Sequence, residues 1–101
     1  MQPLRLRYLS GPRRGEQLIF SGPRVRIGRS RDNTLLLTES ESPASSGRHA
    51  EALVEGGAWW IVDTGSTNGT YVNGARVVGA QRVNAGDVVR VGDTDLVVEE
   101  D

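Results

Sequence analysis

Asp63-Thr64-Gly65-Ser66-Thr67-Asn68-Gly69-Thr70-Tyr71-Val72-Asn73-Gly74 is the stretch that decides how this chain folds. Its centre, Thr70-Tyr71-Val72, is too short for a helix and rich in the β-branched and aromatic residues that strands favour. Asn73-Gly74 follows at once. Asn-Gly is the strongest short hairpin signal, because a type I′ turn needs positive φ at both central residues. A second run at 75–78 completes the hairpin.

The same rhythm extends in both directions. Leu4, Leu6 and Tyr8 alternate with Arg5 and Arg7, and Val25 and Ile27 alternate with Arg24 and Arg26. Further runs fall at 16–20, 34–37, 48–54, 58–63, 81–83, 87–91 and 95–99, about eleven short strands in all. Glu55-Gly56-Gly57, Ala85-Gly86-Asp87 and Gly92-Asp93 supply more turns. Only Arg29–Ser42 offers a longer window free of Gly and Pro, so helix has little room. Tight turns join antiparallel neighbours, since parallel pairs need longer crossovers. The expected fold is all-β, a sandwich of two twisted, mainly antiparallel sheets. One irregular stretch, TESESPASSG at 38–47, reads as a surface loop that is either floppy or functional. Residues 1–101 read as a single domain, with 99–101 as the acidic start of a linker in a longer protein.

The chain has 101 residues, 37% of them hydrophobic, with one His and no Cys. Disulfides, thiolate zinc sites, cysteine nucleophiles and multi-histidine metal sites are therefore excluded. No metal or cofactor is expected. No apolar run approaches the roughly 20 residues that span a bilayer, and no signal-peptide core is visible, so a cytoplasmic location without membrane contact is expected. The net charge of −1 hides an asymmetry. Residues 1–31 hold eight Arg against Glu16 alone, and residues 32–101 hold four Arg against twelve acids. Solvated strand faces explain much of this. An anionic partner would also suit the first third, because the Arg fork matches phosphate. The near-neutral total argues against a nucleic-acid binder, which draws affinity from a broad basic field.

Four segments together resemble the forkhead-associated (FHA) domain, a phosphothreonine-binding module. Gly28-Arg29 follows an alternating strand. Ser46-Gly47-Arg48-His49 has the family's S-x-x-H spacing. Residues 63–74 match its longest signature almost letter for letter, and Ala85-Gly86-Asp87 through Val91-Gly92 match its closing hairpin. The resemblance covers the whole chain in order.

It implies non-catalytic recognition of phosphothreonine in a partner protein, or in cis, downstream of a Ser/Thr kinase. It also assigns roles. Arg29 and Ser46 hold the phosphate, Thr67 assists, and Asn68 grips the peptide main chain. Chemistry agrees, because a phosphorylated side chain brings close to two negative charges and three acceptor oxygens. Arg29 offers a charged fork, Ser46 and Thr67 offer hydroxyls, and turn backbones offer N–H groups. Gly28, His49, Gly69 and Asn73 read as structural support. Gly47, Arg48 and Arg31 are auxiliary candidates. Gly47 stands where members often carry a second phosphate contact, and Ala44 where some place a specificity Arg. Glu39 and Glu41 lie in the preceding loop, where carboxylates would repel a phosphate. Trp59 and Trp60 point to opposite faces of one strand, so one is core and the other a candidate contact.

Other classes fit less of the chain. Asp63-Thr64-Gly65-Ser66 matches the D-T-G-[ST] of retroviral-type aspartic proteases, in which two aspartates share a proton. That match stops after four residues. Ser46 and His49 lack the orienting acid of a hydrolase. The serious alternative is a structural sandwich of the same fold with a degenerate phosphate site.

Overall fold

Leu4, Leu6 and Tyr8 are 1%, 2% and 2% exposed, while Arg5 and Arg7 between them stay half-buried on the opposite face. Period-two alternation thus builds the first strand of a computed structural model that describes residues 2–100. The strands are Leu4–Tyr8 (β1), Gln17–Phe20 (β2), Arg24–Gly28 (β3), Leu35–Leu36 (β4), Ala50–Glu55 (β5), Ala58–Asp63 (β6), Thr70–Val72 (β7), Ala75–Arg76 (β8), Ala80–Val83 (β9), Val88–Val91 (β10) and Thr94–Glu99 (β11). Among the described residues there is no helix, so none is long and apolar enough to cross a membrane.

Two sheets form, ordered β2-β1-β11-β10-β7-β8 and β4-β3-β5-β6-β9. Their inner faces bury Leu4, Leu6, Tyr8, Val25, Ile27, Ala52, Ile61, Val89, Val91 and Leu96 in one core. This is the all-β sandwich expected. Asn73 and Gly74 have φ of 51° and 82°, as a type I′ hairpin demands. Trp59 packs against the core, and Trp60, on the other face, donates its indole N–H to the Glu55 carbonyl.

The charge asymmetry is partly offset in space. Arg24 and Arg26 lie 3.8 and 3.6 Å from the carboxylate of Glu51, and Arg7 lies 2.9 Å from Glu99. Arg13 pairs with Glu16 at 3.0 Å and covers the Tyr8 ring. Such exposed pairs add at most about 1 kcal/mol each. Their effect is to offset part of the basic charge of the N-terminal third.

Three details differ from the expectations. The pair β3–β4 is parallel, with Ile27 opposite Leu35. Residues 29–34 make this crossover without a helix, because the Asn33 side chain ties the loop to the carbonyls of Ser30 and Gly47, both at 2.7 Å. β8 stops at Arg76 rather than reaching residue 78, as Val77 turns inward and is buried. Loop 38–47 is anchored. Ser42 Oγ donates to Asp93 (2.7 Å), Ser45 Oγ donates to the Ser42 carbonyl (2.7 Å), and both serines are buried. Glu99 lies in β11 opposite Arg5, and Asp101 falls outside the described residues.

Candidate functional site

Where β3 ends, Gly28 is the one residue that fits. A β-carbon there would stand 2.2 Å from the Gly47 carbonyl oxygen. That close approach lets two loops run side by side. Arg29 N–H donates to the Ser46 carbonyl (3.1 Å), and Ser30 N–H donates to that of Gly47 (3.0 Å). The guanidinium of Arg29 is held from below, its Nε donating to the Ser45 carbonyl. Its two terminal nitrogens have no partner among the described residues. They form a free fork.

Ser46 connects the loop before β5 to the loop before β7. Its Oγ accepts the backbone N–H of Thr67 at 3.1 Å, which leaves the hydroxyl proton free to donate outward. Asn68 Nδ2 donates to the Ala44 carbonyl at 2.7 Å, so its amide oxygen remains as an acceptor. Thr67 and Asn68 are both exposed, while Arg29 and Ser46 are half-buried. Three segments distant in sequence therefore meet, and each presents unused hydrogen-bonding capacity to solvent.

His49 sits beneath them, 0% exposed. Ser46 N–H donates to its Nδ1 (2.9 Å), so the ring proton is on Nε2, which donates to the Gly69 carbonyl at 2.7 Å. One ring thereby ties the loop before β5 to the loop before β7.

Asp63 supports the third segment. Its carboxylate accepts Gly65 N–H (2.8 Å), Ser66 N–H (2.9 Å), Ser66 Oγ (2.5 Å) and Thr70 Oγ1 (2.7 Å). Burial alone would raise its pKa, but these hydrogen bonds outweigh that and hold it down to about 2. A carboxylate with four donors is a turn brace. The protease reading of Asp63-Thr64-Gly65 finds no support.

The remaining candidates divide. Gly47 contributes its carbonyl to the loop ladder. Arg48 turns to an ion pair with Asp32, and Arg31 is exposed without a partner among the described residues. Asn73 braces β10, giving its amide to Asp87 (3.0 Å) and accepting Val88 N–H (2.9 Å). Glu41 is turned away, its carboxylate accepting Thr38 N–H (2.8 Å) and facing Arg13 at 3.6 Å. Three supports were missed by sequence reasoning, namely Asn33, Ser66 and Thr70. Asp63 opens the 63–74 signature, yet the only chemistry the sequence reading gives it is that of a protease. An Asx-type turn at Asp63-x-Gly-Ser was the available signal; nothing in the sequence pointed to Asn33.

A family model described as the FHA domain matches residues 25–92. The chain belongs to the FHA-domain family. FhaB of Mycobacterium tuberculosis, an FHA domain-containing protein, is 43% identical over 93 residues, which cover 89% of this chain and 58% of FhaB. The glycogen accumulation regulator GarA of Mycolicibacterium smegmatis is 40% identical over 87 residues, covering 86% of this FHA domain and 52% of GarA. The chain thus spans about half the length of the curated relatives it matches. The structure is similar to that of Mycobacterium tuberculosis EmbR in complex with a low-affinity phosphopeptide, with a TM-score of 0.85 at 27% identity over 98% of this chain and 24% of that one.

Proposed function

We propose that this FHA domain binds phosphothreonine in a partner protein, or in another segment of its own longer chain, in the cytoplasm downstream of a Ser/Thr kinase. It catalyses nothing. The free fork of Arg29 and the outward hydroxyl of Ser46 take the phosphate oxygens, Thr67 adds a hydroxyl, and the amide oxygen of Asn68 accepts a peptide N–H. A charge-assisted fork on a dianion is the strongest of these contacts.

One observation carries the reading over a degenerate site. Among the described residues the Arg29 terminal nitrogens are unclaimed and contact no carboxylate, while its Nε, donating to the Ser45 carbonyl, holds them beside Ser46. Arg7, Arg13, Arg24, Arg26, Arg48 and Arg90 by contrast face acids. The complex of EmbR with a phosphopeptide supports the same use of the fold.

The test is titration of a labelled phosphothreonine peptide library and its unphosphorylated twin against the wild type and Arg29→Ala. The phosphorylated pool binds and the twin does not. Arg29→Ala weakens binding by about 1.5–3 kcal/mol, ten- to more than a hundredfold. Equal binding by both pools rejects the reading.

A further inference from the structure

Gly69 follows the peptide-gripping Asn68, and two side chains close over it. A β-carbon at Gly69 would lie 3.2 Å from Arg76 Nε, 3.3 Å from Arg76 Cζ and 3.2 Å from the Tyr71 ring edge. Tyr71 and Arg76 are opposite residues of the β7–β8 hairpin, so the ladder itself holds the guanidinium there. Arg76 is exposed and, among the described residues, makes no hydrogen bond or ion pair.

A groove of about 530 Å³ opens at Asn68 and Tyr71, lined also by Val88, Arg90, Gly92 and Asp95. Its own charges cancel, because Arg90 Nη1 lies 3.2 and 3.1 Å from the two carboxylate oxygens of Asp95. Tyr71 lines this groove and also touches the spot that Arg76 covers. The guanidinium thus lies against Gly69, the residue after Asn68, and no acid is paired with it among the described residues.

We infer that Arg76 is a specificity-determining residue that selects an acidic side chain flanking the phosphothreonine, on the side of the peptide that passes over Asn68. The inference rests on the phosphopeptide reading and deepens it. A peptide main chain held by Asn68 runs within side-chain reach of Arg76, and an Asp or Glu there meets a positioned fork with no acid to displace. Of the other arginines without a partner, Arg82 lines a separate cleft with Trp59 and Gln2, which makes it the control for loss of one positive charge.

The experiment uses phosphothreonine peptides of otherwise neutral sequence in which a single Asp is walked through the positions on either side. Each is titrated by fluorescence anisotropy against the wild type, Arg76→Gln, Arg82→Gln and Arg29→Ala, all checked for folding by thermal melting. One position on one side of the phosphothreonine tightens wild-type binding about two- to fivefold, as an exposed ion pair does. Arg76→Gln abolishes that gain and leaves the neutral peptide unchanged, while Arg82→Gln keeps the gain. An Asp effect that survives Arg76→Gln, or the absence of any Asp effect, overturns the inference while Arg29-dependent binding stands. Loss of phosphate dependence in the wild type overturns the inference and the phosphopeptide reading together.

Discussion

His49 and Gly69, twenty residues apart in sequence, are joined by a hydrogen bond of 2.7 Å from a fully buried imidazole to a main-chain carbonyl. The opposite ring nitrogen takes the N–H of Ser46, so the bond is half of a rigid spacer between loops. His49→Leu removes both partners and leaves the part-buried Ser46 N–H and the buried Gly69 C=O unsatisfied. Each such group costs about 1–3 kcal/mol. Urea unfolding should show a loss of about 2–4 kcal/mol, with weaker phosphopeptide binding in the fraction that folds. Wild-type stability in this variant would refute the spacer.

Gly28 and Gly74 should respond very differently to alanine. At Gly28 the added carbon meets the Gly47 backbone, which cannot move without breaking the loop ladder, whereas at Gly74 it meets open space. Gly74→Ala pays chiefly for its φ of 82°, about 1 kcal/mol. Gly28→Ala costs about 3 kcal/mol or more by overpacking. Comparable melting temperatures for the two variants would contradict this account.

Asp63 should make the domain sensitive to acid. Its carboxyl titrates at about 2 in the folded chain against an ordinary 3.8. A depressed folded pKa gives stability that is fully present above the unfolded value and fades as pH falls through the folded one. The gap in unfolding free energy between wild type and Asp63→Asn should therefore narrow from pH 5 to pH 2. A gap independent of pH would show that the ionised form contributes nothing.

Salt should weaken the complex. In the proposed complex Arg29 would supply the main charge at the phosphate, and half-exposed ion pairs are screened over about 10 Å at 0.1 M ionic strength. Titrations at 0.05 and 0.5 M NaCl should show affinity falling, and falling less in Arg29→Ala than in wild type. Identical salt slopes would remove Arg29 from the ligand.

The strands were legible in the sequence because their signals are local. Leu4, Leu6 and Tyr8 alternate, and Asn73-Gly74 specifies its own turn. The site was legible only through the resemblance, which brought Arg29, Ser46, Thr67 and Asn68 into one picture. Its supports were hidden for a physical reason. The Asn33 bonds to two carbonyls and the Asp63 grip on Thr70 depend on where loops arrive in three dimensions. The parallel β3–β4 pair escaped for the same reason, since a side chain rather than a helix makes the crossover. Glu41 looked hostile to a phosphate because sequence shows neighbours along the chain, and Arg13 is not one of them.

The tether from Ser42 to Asp93 has a kinetic consequence. Together with the close pressing of Gly92 against the Ser45 backbone, it leaves the receiving surface already shaped before any ligand arrives. Ordering on association should then fall mainly on the incoming peptide rather than on loop 38–47. Arrival should be fast and governed by diffusion and charge, so that differences in affinity between targets lie mainly in how long each one stays.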